Sequence, residues 1–468
     1  MPDNSILKRR IYPLDPRELS QEELAVVFAM TSRRPEAFDE IRDLVNIEKA
    51  ADFNERWVLG YGHSSVAEHA VLHIAFENIS RLACDTLEDN RLASYTEKSS
   101  RYQVIGAGSY HVPSELIEKS NVRREYIETC DKLFAAYEQL LNNLQFHLSK
   151  TTPQGPKERD GAYRLRLRRE ATDTCRFILP ASTLTNVGVT MNARSVEHAV
   201  RKLLSSELLE EQAIGSEFKA QAQSITPTLV RYADPNVYLK KSRSNIQEDA
   251  EKNQVVNSSI NRAPSGVSAK LVNFDNDAES RLAKVLLYRN SDMSYEQISE
   301  KVDNLSYENQ IQVITNALSE IGPHDAPVRE LEQIEYTFEL CLDYGAYREF
   351  KRHRMQSYLP QNLHVNEGFV IPPLIEEANL LDAYTHAIEL SDSNFDSLSK
   401  ISPRLAEYIV THGHIRRVLT KINLRECYAL FKLRVQSQAH FTIHDAMNQA
   451  LKQIEEVHPF LIQFIQLR

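Results

Sequence analysis

The strongest constraint on the fold is an internal repeat. Thr190-Met191-Asn192-Ala193-Arg194 returns as Lys421-Ile422-Asn423-Leu424-Arg425. Ahead of the first, Leu72, Ile74 and Phe76 alternate with less apolar residues, and ahead of the second Tyr336, Phe338, Leu340 and Leu342 do the same. Period two is a strand pattern. Each strand runs on into a helix-forming stretch that ends near Arg91 in the first half and at Lys351-Arg352-His353-Arg354 in the second. Gly62 and His63 are echoed by Gly322-Pro323-His324. Two diverged copies of one domain account for a 468-residue chain. Between them, residues 234–268 are rich in Ser, Asn, Lys, Gln and Glu and close on Pro264-Ser265-Gly266, the composition of a polar linker. The expected organisation is a first domain over 1–233, a linker over 234–268 and a second domain over 269–468, each an α+β unit.

Smaller signals fill in the order. Glu22–Met30 and Phe38–Val45 read as short helices, and Ser65 with Glu68 has the spacing of a capping box. Glu125–Leu148 places Tyr126, Leu133, Tyr137, Leu140 and Leu144 on one stripe, a core face. Pro180 ends the stretch after Arg176-Phe177-Ile178-Leu179. A helix is expected from Arg194 through Glu211.

Charge narrows the ligand class. The net charge of -10 argues against nucleic acid, whose binding draws on a positive surface. Basic patches on an acidic protein suit small anions, because only the pocket needs to be positive. Taken alone, Lys351–Arg354 reads as a solvated basic face or a phosphate patch. Five scattered cysteines without Cys-x-x-Cys point to a reducing compartment and away from disulfides or structural zinc. His412-x-His414 has no Cys or acid partner at zinc spacing, so no metal is expected. The charged N-terminal stretch and the lack of a membrane-length apolar run lead to the expectation of a cytoplasmic protein.

Gly62-His63-Ser64-Ser65-x-x-Glu68-His69, Ile79-Ser80-Arg81, and Arg91-x-x-Ser94-Tyr95-Thr96-Glu97-x-Ser99-x-Arg101-Tyr102 resemble the flavin-dependent thymidylate synthase family, as does Arg352-His353-Arg354-x-x-Ser357-Tyr358. The family signature is Arg-His-Arg-x-x-Ser followed by Asn-Glu-x-Ser-x-Arg-Tyr. The resemblance implies the family's fold in both halves, a mixed β-sheet with helices in each. It also implies a tetrameric arrangement, here two chains forming a pseudo-tetramer, with sites built where copies meet.

Within this resemblance the two halves have lost different things. The first keeps Glu97, Ser99, Arg101 and Arg176, but has Asp89 and Asn90 in place of Arg-His, and its late arginine position is Leu203. The second keeps Arg352, His353, Arg354 and Arg434, but Leu359-Pro360-Gln361 replaces the Asn-Glu part and Glu407 the arginine before Leu-Pro. Decay at random does not sort losses this way. One intact kind of composite site and one dead kind are expected, hence two live sites per dimer.

The resemblance implies roles residue by residue. Glu349, Arg352, Glu97, Ser99, Arg101, Arg176 and Arg434 would bind dUMP, with Arg434 as the catalytic group stabilising an ionised uracil. Arg352, His353, Arg354, Glu97, Ser65, His63, Asn192, Arg194, Asn423 and Arg425 would contact FAD. Arginine suits both tasks, since its fork gives bidentate donors to phosphate and a cation favours anionic reduced flavin. The implied reaction is reductive methylation of dUMP to dTMP, with NADPH and methylenetetrahydrofolate as co-substrates and no protein nucleophile. Three departures stand against the signature: Glu349 replaces a glutamine, Thr96 an asparagine, and His198 and Ala429 occupy a flavin-contacting asparagine position. The alternative is a catalytically inactive flavin- or nucleotide-binding relative with a structural or regulatory role.

Overall fold

A computed structural model describes residues 10–32, 34–60, 64–253, 255 and 260–467. The repeat becomes two antiparallel sheets. In the first half β1 (Val71–Ser80), β2 (Ala93–Glu97) and β3 (Leu184–Asn192) pair in the order β1-β3-β2. In the second half β4 (Asn261–Pro264) pairs in parallel with β8 (Glu367–Phe369). The main sheet there is β5 (Ser268–Phe274), β6 (Glu335–Asp343), β9 (Ile415–Asn423) and β7 (Gln356–Pro360), in that order. The β6-β9-β7 part reproduces β1-β3-β2, and β5 is added at its edge. Register is reproduced as well. Val71 faces Asn192 and Ala93 faces Met191, while Glu335 faces Asn423 and Gln356 faces Ile422. The expectation of two tandem α+β copies holds at the level of individual strand pairs.

Compactness follows a different division from the expected boundaries. One unit comprises Met1–Lys98, Pro113–Ile117 and Leu184–Val256; the other comprises Ser99–Val112, Glu118–Thr183 and Asn257–Arg468. A long piece of the first half therefore belongs with the second. The cause is packing. Helix Ser120–Thr151 buries Tyr126, Leu133, Tyr137, Leu140 and Leu144 and lies against helix Leu381–Ser399. Each such leucine contributes roughly 1.5–3 kcal/mol when taken out of water. Backbone bonds join the same pieces: Ala181 N–H donates to Val410 O, Ser182 N–H to Tyr408 O, and His412 N–H to Leu179 O.

Three local expectations need correction. Val237–Lys252, inside the expected linker, is a helix capped by Asn236, although none of its residues is buried. Its straight-chain charged residues favour helix without a core behind them. Ser65 makes no capping bond to the single turn Val66–His69, and Glu68 instead pairs with Arg194. The helix after Arg194 is two, Ala193–Leu204 and Leu209–Ile225. Among the described residues no helix is long and apolar enough to cross a membrane.

Candidate functional site

Within the second unit, three arginines from separate parts of the chain meet at one carboxylate. Helix Tyr344–Phe350 starts on Asp343, whose Oδ2 accepts from Ala346 N–H, and it carries Glu349 inward near its C-terminus. Arg434, at the end of helix Leu424–Arg434, donates from Nη1 to Glu349 Oε2 at 3.0 Å and from Nη2 to the Glu349 carbonyl at 3.1 Å. Arg101 Nη1 lies 3.6 Å and Arg176 Nη2 3.7 Å from Glu349 Oε1. Arg101 and Arg176 belong to the first half, Glu349 and Arg434 to the second.

Supporting residues hold this cluster. Ser99 Oγ accepts from Arg101 N–H, so the serine forms the turn that presents the arginine. Asp173 receives Arg101 Nε at 3.1 Å on Oδ2 and lies 3.0 Å from Arg176 Nε through Oδ1. His440, buried beside Phe177 and Phe441, places Nε2 3.5 Å from Asp173 Oδ1. Burial, with Arg176 and Arg101 adding to it, holds the His440 pKa well below the usual range. Asp343 is fully buried, which pushes its carboxyl up to about 6 despite the pull of Arg176. Gly345 leaves room for the Asp343 carboxylate: a Cβ there would stand 3.0 Å from Asp343 Oδ2, a tight approach, and in ordinary contact with the Arg176 guanidinium carbon at 3.6 Å.

His353 ties the cluster to a neighbouring cavity. Its Nε2 accepts from Arg434 Nε at 3.1 Å, so Nδ1 bears the hydrogen and donates to Glu426 Oε1 at 3.1 Å. Glu426 also lines a cavity of ≈ 360 Å³ walled by Met355, Tyr428, Ala429, Leu433 and Phe464, with Asn423 and Arg425 at its edge. Gly322 and His324, the echo of Gly62 and His63, line it too. Arg425 donates to Pro327 O and to Glu332, while Asn423 caps its helix through Glu426 N–H and donates to Met355 O.

The other expected site residues lie as follows. Arg352 and Arg354 are exposed on the turn beside buried His353. Glu97 is in the first unit, where its carboxylate accepts from Arg81 Nη1 and Thr185 Oγ1, each at 2.9 Å. Asn192 caps its helix through Ser195 N–H, Arg194 pairs with Glu68, Ser65 is exposed, and His63 lies outside the described residues. Sequence reasoning missed Asp173 and His440. An acid three residues before Arg176 on one helical face was a usable signal for the first; His440 offered none.

The positions read as lost have become structural. Asp89 pairs with Lys202 at 2.9 Å, Asn90 donates to Leu87 O, and Leu203 is in the first core. Glu407 is fully buried and accepts from Arg404 at 2.7 Å. His412 faces Leu179 O and His414 binds Asp392. Ligand-type atoms of Cys84, Glu88 and Glu97 lie within 4.8 Å of one another. All five cysteines are free, and burial pushes Cys130 up to about 12 and raises Cys175 and Cys427 as well.

The family described as thymidylate synthase complementing protein matches the chain over residues 17–228 and 270–460. A UPF0159 protein of Chlamydia muridarum is 28% identical over 432 residues, covering 90% of this chain and 82% of the relative. A UPF0159 protein of Thermoplasma acidophilum is 27% identical over 460 residues, covering 90% and 89%. A flavin-dependent thymidylate synthase of Clostridium tetani is 26% identical over 197 residues, 40% of this chain and 76% of that protein. Matched once in each half, the chain belongs to the thymidylate synthase complementing protein family, in a form with two tandem copies.

Proposed function

We propose that this protein is a flavin-dependent thymidylate synthase that methylates dUMP reductively, with methylenetetrahydrofolate and a reduced nicotinamide as co-substrates. The observation that carries the reading is the convergence of Arg101 and Arg176 with Arg434 at Glu349, each half supplying what the other lacks. A partly buried site with three guanidiniums suits a nucleotide monophosphate. Unsatisfied polar atoms in it, Arg176 Nε and Nη2 and Glu349 Oε1, are of the kind a ligand completes.

The cavity fits a flavin ring by its chemistry. Its apolar and aromatic lining, Met355, Tyr428, Leu433 and Phe464, suits the faces of a flavin ring, and the charged residues Asp325, Glu332, Arg425, Glu426 and Lys432 line it as well. Bound flavin supplies the hydride of the reaction. Glu426 and His353 connect the cavity wall to Arg434, so the group that stabilises the ionised pyrimidine is held by the same network that borders the cofactor. Arg101 and Arg176, spread by Asp173, bind the phosphate. The raised thiol pKa values of Cys130, Cys175 and Cys427 suit a route without a cysteine nucleophile. The working assembly is a cytoplasmic homodimer with two live sites.

A second reading, an inactive nucleotide binder, is favoured by the engagement of Arg434 at all three nitrogens. One assay separates the two. The synthase is yellow as purified and forms dTMP from dUMP when given NADPH and methylenetetrahydrofolate; binding of dUMP without any dTMP would select the inactive form.

A further inference from the structure

The helix that delivers Arg176 carries more cations than the site consumes. Helix Asp160–Cys175 ends against Arg176, and along it Arg164, Arg168 and Arg169 are exposed. Among the described residues none of the three pairs with an acid, whereas Arg166 of the same helix is held by Glu158 at 2.8 Å. Residues 157–170 hold six cations and three acids, on a protein of net charge -10. A basic run of this kind is ordinarily a solvated face, so position decides which of these arginines matters.

Arg169 is the one placed to act. It precedes Asp173 by four residues, so the two are neighbours on one face of the helix, and Arg176 follows at the C-cap. The Arg169 guanidinium carbon stands 5.3 Å from the centre of the Tyr102 ring, and that of Arg101 stands 5.9 Å from the same centre. One aromatic ring thus links Arg169 to the arginine that faces Glu349. The acid nearby is already engaged: Asp173 Oδ2 accepts from Arg101 Nε at 3.1 Å, and Oδ1 lies 3.0 Å from Arg176 Nε. Glu170, the next residue on the helix, does not face Arg169. Side-chain exposure rises along this row, from 5% at Arg176 to 22% at Arg101, with Tyr102 half-exposed and Arg169 exposed. The row therefore leads from the guanidinium cluster to solvent.

We infer that the anion site continues outward to Arg169 as a second phosphate subsite, so that a nucleoside triphosphate binds more tightly than the monophosphate and competes with it. This rests on the nucleotide reading of the site. The first phosphate stands against Arg101 and Arg176, and the chain beyond it runs past Tyr102 to Arg169. The Arg169 fork is open to solvent and takes phosphate oxygens in pairs. Phosphorylated forms of the product then hold the site against fresh substrate. Because the outer subsite faces solvent, its contribution falls as salt rises.

The test is calorimetric titration of the full chain with dUMP, dUTP and tripolyphosphate, at low salt without divalent metal, on wild type and Arg169→Gln. Arg169 is exposed, so the substitution leaves the core untouched. The expected result is dUTP bound roughly tenfold tighter than dUMP by wild type and displacing it, with that preference lost in Arg169→Gln and dUMP affinity kept within about twofold. Equal affinity for the two nucleotides in wild type, dUTP that does not displace dUMP, a preference for dUTP retained in Arg169→Gln, or an equal loss of both nucleotides in the variant overturns the inference. If neither nucleotide binds while tripolyphosphate binds wild type more tightly than Arg169→Gln, the nucleotide reading falls and the outer subsite stands. If neither nucleotide binds and tripolyphosphate binds both proteins equally or not at all, both fall.

Discussion

Arg101 of the first half lies 3.6 Å from the Glu349 carboxylate of the second, inside one compact unit of one chain. Arg101, Arg176, Glu349 and Arg434 are thus brought together within a single polypeptide. Which half a residue comes from matters less than which unit it enters.

Arg434→Ala removes the donors to Glu349 and His353 together. Charge-assisted bonds contribute about 1.5–3 kcal/mol each, so kcat/KM for dUMP should fall by about a hundredfold or more. Arg91, exposed at the first-half counterpart of Arg354, should tolerate alanine with less than about a threefold loss. Steady-state kinetics on both variants checks this, and a larger loss in Arg91→Ala would sink the composite site.

Asp173→Asn weakens the link that spreads Arg101 and Arg176. The expected outcome is a KM for dUMP raised about tenfold with a smaller change in kcat, because the loss of one charge-assisted contact falls on binding. Circular dichroism matching wild type would show that the fold is intact.

Asp343 gives a pH signature in stability. Its folded pKa, about 6, lies above the ordinary 3.8, so the folded state holds the proton more tightly than the unfolded one. The contribution is fully present below pH 3.8 and is lost as pH rises through about 6, an effect on the order of 3 kcal/mol. Asp343→Asn, still able to cap its helix, should match wild type in Tm near the acid end and exceed it by neutral pH. Thermal melts across that range decide the matter; a constant difference would place the slope elsewhere.

Ala429→Trp fills the cavity beside Tyr428 and Leu433. The variant should fold yet emerge colourless, with flavin absorbance lost while far-UV circular dichroism is kept. A yellow Ala429→Trp would put the cofactor in another place.

The sequence made the repeat, one strand of each sheet and the arginine set visible, because strand periodicity and charged motif residues survive divergence. Asp173 and His440 stayed hidden, since a lone acid and a lone histidine carry no period. Glu97 shows the converse. Its motif position was plain, but burial beside Arg81 and Thr185 fixes its hydrogen bonds within the first unit. Val237–Lys252 went unseen as a helix because it buries nothing, which leaves periodicity no face to mark.

Helix Ser120–Thr151 is encoded in the first copy but is packed against Leu381–Ser399 of the second, with Glu125 bonded to Ser397. The ribosome thus releases this helix well before Leu381–Ser399 exists to pack on it. A cut between the copies would divide one folding unit, not separate two.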